Sequence, residues 1–136
     1  MGIIKVLLVS HGYLAKEMLA TVKMIFGDVN NIAYLELPYG CDLSDYKSQI
    51  AKYINESEDG LLILADLFGG TPFMISSQLF SDKEYNKKIE LVTGMNLGMV
   101  LEVASKVDTM NIQELKELAL SSGMQGICDL REQVNK

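Results

Sequence analysis

The sequence predicts one α/β domain: a doubly wound, mostly parallel sheet with helices on both faces, three layers in all. Short apolar runs alternate with amphipathic helical patterns along the whole chain, which is typical of βαβ units. One run, Leu61–Ala65, is apolar at every position, as expected of a strand covered on both faces. Since 136 residues fit a single core and no linker or repeat interrupts them, we expect one domain over residues 1–136.

Four strands and a short fifth strand are predicted. The four are Ile3–Val9, Ile32–Leu37, Leu61–Ala65 and Lys88–Val92, and the short edge strand is Gly126–Leu130. Parallel strands joined by right-handed crossovers favour the order 2-1-3-4, that of a flavodoxin-like sheet.

Five helices are predicted from apolar residues that recur every three or four positions. The third helix is expected to have Thr71 as its N-cap and Pro72 as its first residue. The other predicted ends are Gly27 after the first helix, Asp42 before the second, Asn96 before the fourth, and Asn111 and Gly123 around the fifth.

Composition excludes several classes of function. The net charge of −6 disfavours a nucleic-acid partner and favours basic protein surfaces. A single histidine cannot form a three-histidine zinc site, and no P-loop or dinucleotide motif is present, so no metal or cofactor is expected. Cys41 and Cys128 lack redox spacing, and neither a signal peptide nor a membrane span is visible, which indicates a cytoplasmic protein.

The candidate site lies where the strand order reverses, between the first and third strands. The only histidine, His11, follows the first strand, and Asp66 follows the third. A carboxylate that accepts the Nδ1–H of an imidazole fixes its tautomer and leaves Nε2 free as a nucleophile. The topology therefore predicts a histidine that can take up a phosphoryl group.

Groups that could bind a phosphate lie at the same edge. Two helices begin there, near Gly12 and near Thr71, and helix N-termini favour anions. Gly12, Gly69 and Gly70 permit close backbone approach, and Thr71 adds a hydroxyl. Taken singly, each residue also has an ordinary explanation: His11 as a loop residue, Asp66 as a turn cap and the glycine pair as a plain turn.

Three segments at this edge form a recognisable set: "VSHGYLAKEML", "LADLFGGTPF" and "TGMNLGMVLE". Together they resemble the enzyme IIA domain of the mannose-type bacterial phosphotransferase system, over about residues 3–130. The second segment is the most specific, because it contains the pattern Asp-x-x-Gly-Gly-[Ser/Thr]-Pro-Phe.

The resemblance implies a phosphoryl carrier that accepts its group from the phosphocarrier protein HPr and passes it to enzyme IIB. Enzyme IIB serves the membrane subunits IIC and IID, which would bring the chain to the inner face of the membrane. His11 corresponds to the acceptor and Asp66 to the residue that orients it. The resemblance also implies a binding role for Phe68, Gly69, Gly70, Thr71, Pro72 and Phe73, with Met95 and Asn96 bordering the site.

The resemblance further implies a homodimer in which "GICDL" exchanges between subunits. Phe68 stands where the family often has tryptophan. Because no linker to a IIB domain follows Lys136, we expect a separate IIA polypeptide. A branch that serves dihydroxyacetone phosphorylation shares the histidine but lacks the Gly-Gly turn.

Two other functions stay open. A receiver-like signalling module would be phosphorylated on Asp66, but receivers place an acidic pair after the first strand, where Ser10-His11-Gly12 stands here. A regulatory domain that only reports phosphorylation would use the same chemistry at His11.

Overall fold

The computed structural model describes residues 4–135, so Ile3, the predicted start of the first strand, lies outside the described residues. The strands are β1 (Ile4–His11), β2 (Ile32–Leu37), β3 (Gly60–Ala65) and β4 (Ile89–Val92). All pair in parallel, in the order β2-β1-β3-β4. The predicted order 2-1-3-4 is confirmed.

The helices are α1 (Leu14–Phe26), α2 (Leu43–Glu56), α3 (Thr71–Phe80), α4 (Leu97–Lys106), α5 (Ile112–Gln125) and α6 (Leu130–Val134), with a 3-10 turn at Asn86–Lys88. Apolar residues of α1, α4 and α5 cover one face of the sheet, and those of α2 and α3 cover the other. The central strand β3 is buried at all six positions, as its uniformly apolar sequence predicts. No helix within residues 4–135 is long and apolar enough to cross a membrane.

Three helices begin at side-chain caps that the sequence predicts. Asp42 accepts hydrogen bonds from the N–H groups of Ser44 and Asp45, and Asn96 accepts one from Met99. Asn111 and Glu114 form a reciprocal capping box at the start of α5. These three predicted caps are confirmed.

The predicted N-cap of α3 is wrong by one residue. The carbonyl of Gly70 already accepts a hydrogen bond from the N–H of Met74 at 2.8 Å, so the helical ladder starts one residue earlier. Gly70 is therefore the N-cap, Thr71 is the first helical residue, and Pro72 follows it.

The predicted strand at Gly126–Leu130 does not form within one chain. The N–H groups of Gly126 and Ile127 bond back to carbonyls of Ser122 and Met124 in α5, which runs two residues past the predicted end at Gly123. Asp129 then caps α6. These backbone bonds replace pairing with the sheet, and exchange of this segment between subunits stays a prediction.

Candidate functional site

The site is set by the register of two neighbouring strands. Val9 of β1 pairs with Ala65 of β3, so His11 and Asp66 emerge side by side at the carboxyl edge of the sheet. The N–H of Asp66 also donates to the carbonyl of Val9 at 3.2 Å. Parallel pairing thus brings together two residues that are 55 positions apart in the chain.

One oxygen of Asp66 holds His11 twice. Oδ2 accepts a hydrogen bond from the backbone N–H of His11 at 3.1 Å and lies 2.8 Å from Nδ1. In neutral imidazole this contact requires the Nδ1–H tautomer, which leaves the Nε2 lone pair unprotonated. The imidazole is 48% exposed and the carboxylate 11%, so a reactant reaches the ring while the carboxylate stays fixed behind it.

Gly70 lies directly against the imidazole. A Cβ placed on Gly70 would lie 2.5 Å from Cε1 of His11 and 3.0 Å from Nε2, closer than side chains pack. The position therefore tolerates only glycine if the ring is to stay where Asp66 holds it. Because Gly70 is also the N-cap, the first turn of α3 begins beside Nε2.

That first turn has no side-chain cap. The unpaired N–H groups of a helix N-terminus and the helix dipole favour a negatively charged group at this end. The hydroxyl-bearing residue Thr71 lines the same pocket as His11, and Gly70 lies against the ring, so both are near the imidazole. Their binding of a phosphate stays a prediction.

The start of α1 differs because a buried serine supports it. The Ser10 hydroxyl accepts a hydrogen bond from the N–H of Ala15 at 2.6 Å and donates to the carbonyl of His11 at 3.1 Å. Ser10 is fully buried. No role was predicted for Ser10, although a hydroxyl next to the only histidine and just before a helix is a recognisable capping signal.

Gly12 and Gly69 adopt left-handed backbone angles, with φ of 53° and 85°. The N–H of Gly12 donates to the carbonyl of Leu37 at 2.9 Å. This N–H is thus engaged within the protein, and the role of Gly12 in the structure is to turn the chain after His11.

A pocket of about 400 Å³ opens beside His11. Its walls are mostly apolar and include Leu37, Tyr39 and Leu43. On the neighbouring turn, Phe68 is 74% exposed, and its ring centroid lies 4.6 Å from that of Phe73. The surface around His11 therefore combines an apolar wall with an exposed aromatic ring, a composition typical of protein-docking surfaces.

Met95 and Asn96 lie next to this edge, with contacts of their own. The N–H of Met95 donates to the carbonyl of Ala65 at 3.0 Å, one residue before Asp66, and the Met95 side chain is buried. The amide of Asn96 caps α4 and donates to the carbonyl of Gly123 at 3.0 Å. Their part in binding stays a prediction. Within residues 4–135 no three histidine, cysteine or acidic side chains cluster as a metal site requires.

Tyr46 of α2 is a further residue that interacts electrostatically with Asp66, and no sequence motif pointed to it. Its side chain is 2% exposed. Burial raises the pKa of the phenol, and the negative charges of Asp66 and then Cys41 raise it further. The hydroxyl therefore stays protonated and lies within electrostatic reach of Asp66.

Comparison with known proteins identifies relatives of the whole domain. A family model described as "PTS system fructose IIA component" matches residues 5–120. The mannose-specific EIIAB component of the phosphotransferase system of Escherichia coli is 29% identical over 133 residues. The sorbose-specific EIIA component of Lacticaseibacillus casei is 33% identical over 82% of this chain and 79% of its own length.

A solved structure shows the same fold. The phosphotransferase system component EIIA from Streptococcus agalactiae superposes with a TM-score of 0.87 at 27% identity, over 95% of this chain and 98% of that one. The match to the Escherichia coli protein covers 94% of this chain but only 40% of the relative, so the chain spans well under half of that longer protein.

Proposed function

Since the chain belongs to the EIIA-man family of phosphotransferase-system components, we propose that it is a phosphoryl carrier that accepts a phosphoryl group on His11. The donor is the phosphohistidine of HPr, and the acceptor is enzyme IIB, which serves the membrane subunits IIC and IID. The observation that carries this proposal is the contact of 2.8 Å between His11 Nδ1 and Asp66 Oδ2 on an imidazole that is 48% exposed.

The transfer is an in-line displacement between two imidazoles. The Nε2 lone pair of His11 attacks phosphorus as the bond from phosphorus to the donor nitrogen breaks, and the donor nitrogen keeps that electron pair. His11 becomes a phosphorylated imidazolium whose Nδ1–H remains hydrogen-bonded to Asp66, and the negative carboxylate stabilises the positive ring. Transfer to enzyme IIB repeats the step in reverse.

The phosphoryl oxygens are stabilised by the uncapped start of α3. The backbone N–H groups of Thr71 and Phe73 and the helix dipole act on charge held at Nε2, since Pro72 has no N–H, and the Thr71 hydroxyl supplies another donor. Catalysis in this proposal is positioning and charge stabilisation by groups already in place.

Partner binding uses the surface around His11. The apolar wall and exposed Phe68 contact the partner, and the net charge of −6 speeds encounter with a basic protein surface. In this proposal the chain is cytoplasmic, forms a homodimer and reaches the inner face of the membrane through the transporter subunits.

The geometry disfavours phosphorylation of Asp66 itself, the step that a receiver-like module would use. Oδ2 is engaged by two groups of His11, and Oδ1 is buried. A carboxylate so enclosed is a poor nucleophile toward a bulky phosphoryl donor.

Radiolabelled phosphoenolpyruvate with enzyme I and HPr tests the proposal. We expect the chain to take up a label that survives alkali and is lost in acid, as phosphohistidine is, and His11→Ala to take up none. Circular dichroism of the variant checks that it folds. A label that persists in His11→Ala, or that is lost in alkali like an aspartyl phosphate, would contradict the proposal.

A further inference from the structure

Two buried polar atoms near the site lack hydrogen-bond partners among residues 4–135: the hydroxyl of Tyr46 and Oδ1 of Asp66. Buried polar groups in native proteins are nearly always hydrogen-bonded, so each such atom requires an explanation. Oδ1 is the oxygen of Asp66 that does not hold His11.

The two atoms are chemically complementary. A phenol can donate one hydrogen bond, and an ionised carboxylate oxygen can only accept. Because burial and the charge of Asp66 raise the pKa of Tyr46, its hydroxyl keeps the proton that such a bond requires.

Tyr46 and Asp66 also belong to elements that meet at the carboxyl edge of the sheet. Tyr46 is the fourth residue of α2, a helix that begins after β2 at the carboxyl edge of the sheet. It belongs to the same buried apolar cluster as Val9 and Ala65, the residues whose pairing sets the site. Tyr46 thus packs in the cluster that contains the strand pair just before His11 and Asp66.

We propose that Tyr46 is a positioning residue for phosphoryl transfer: its hydroxyl donates a hydrogen bond to one water molecule, which in turn donates to Oδ1 of Asp66. The inference rests on the proposed role of His11 and adds a third residue to the His11–Asp66 pair.

The bond acts by restricting the carboxylate. With Oδ1 held by Tyr46 through the water and Oδ2 held by the two N–H groups of His11, the two oxygens cannot exchange places by rotation. The imidazole then keeps one orientation and one tautomer, and Nε2 stays aligned with the incoming phosphorus. Small losses of alignment lower the rate of such a reaction.

Tyr46→Phe removes the hydroxyl and keeps the ring, and Tyr53→Phe is the matched control. Tyr53 lies on the same helix, half-buried, and lines a different pocket with Gln49 and Glu56. Both variants are checked by thermal unfolding and must melt cooperatively.

The first readout needs no phosphoryl donor. In protein labelled with ¹⁵N-histidine every signal comes from His11, because the chain has one histidine. The ¹⁵N shifts of neutral imidazole give the ratio of the two tautomers, which the hydrogen bond at Nδ1 sets. We expect Tyr46→Phe to raise the Nε2–H fraction about threefold and Tyr53→Phe to leave it unchanged.

The second readout is transfer from phospho-HPr. We expect kcat to fall about three- to tenfold in Tyr46→Phe with KM unchanged, since alignment is lost and docking is kept. A wild-type tautomer ratio and kcat in Tyr46→Phe, or equal changes in Tyr53→Phe, would overturn the role of Tyr46. If the wild-type chain accepts no phosphoryl group, the proposed function fails, and the tautomer ratio still decides whether Tyr46 holds Asp66.

Discussion

The N-termini of α3 and α5 are built in opposite ways. At α5, Asn111 accepts from the N–H of Glu114 at 2.9 Å, and the Glu114 carboxylate accepts from the N–H of Asn111 at 3.0 Å. At α3, the cap is Gly70, which has no side chain to offer. The α5 terminus lies at the amino edge of the sheet, where Ile112 packs against Gly60, whereas the α3 terminus lies beside His11.

A helix N-terminus can therefore either stabilise the fold or bind an anion, depending on whether a side chain caps it. A capping box satisfies the helix from within and contributes stability. An uncapped terminus forgoes that stability and leaves its N–H groups and dipole available to an outside anion. Of these two helices, the one that begins beside the imidazole has no side-chain cap, and this arrangement favours an anion there.

The largest effect is expected from Asp66→Asn. The amide would favour the tautomer of His11 that carries its proton on Nε2. The nitrogen beside the start of α3 would then lack the lone pair that attacks phosphorus. We expect the transfer rate from phospho-HPr to fall about 10²–10⁴-fold while the fold persists. Rapid-quench kinetics measure the transfer rate, and circular dichroism checks the fold. A wild-type transfer rate would remove Asp66 from the mechanism.

Gly70→Ala tests the uncapped start of α3 by adding a side chain that clashes with the imidazole. The new methyl group would overlap the imidazole, so we expect transfer to fall about 100-fold, as displacement of a reacting group by about 1 Å does. The control is Gly98→Ala in the first turn of α4, where a Cβ would meet its nearest neighbour at 3.6 Å. That variant should stabilise the protein by about 0.5–1 kcal/mol and transfer normally. Equal rates for the two variants would contradict the close approach of Gly70.

Truncating one side chain at each helix start should have a smaller effect, on stability at α5 and on the transfer rate at α3. We expect Asn111→Ala to lower the free energy of unfolding by about 1 kcal/mol without changing transfer, because it removes half of a capping box. We expect Thr71→Ala to slow transfer about tenfold with less than about 0.5 kcal/mol of destabilisation, since Thr71 is not a cap. Urea unfolding and single-turnover transfer measure both. If Thr71→Ala destabilised the chain as Asn111→Ala does, the contrast between the two termini would be wrong.

The smallest effect concerns the pH dependence of a charged cap. Hydrogen bonds from the backbone N–H and hydroxyl of Ser44, and then from the N–H of Asp45, hold the pKa of Asp42 below its usual 3.8. A carboxyl whose pKa is lower when folded stabilises the protein above its unfolded pKa, and this contribution is lost as pH falls through the folded value.

Asp42→Asn should therefore flatten the fall in stability below about pH 4, because a neutral amide keeps the cap without titrating. Urea midpoints compared between neutral and acidic pH measure the change. The same pH slope in both proteins would mean that this cap does not contribute to acid sensitivity.

The sequence was sufficient to predict the features that depend on strand ends and helix caps. His11 and Asp66 could be paired because each follows an apolar run within two residues, and parallel strand ends share one edge. The caps Asp42 and Asn111 could be assigned because a cap acts on residues only two or three positions away.

Features that depend on packing could not be predicted. The displaced cap at Gly70 depends on a backbone bond to Met74, and the burial of the Tyr46 hydroxyl near Asp66 depends on how α2 packs on the sheet. The last segment was predicted as a strand because "GICDL" is apolar, yet its backbone bonds return to α5. Apolar character indicates burial or pairing without specifying the partner.

The pairing of Val9 with Ala65 also has a consequence for how the protein folds. His11 and Asp66 are 55 residues apart, and they meet only after β1 and β3 have paired. Contacts between distant parts of a chain form slowly, because a long loop must close first. During refolding, the proposed acceptance of a phosphoryl group should therefore begin only after β1 and β3 have paired.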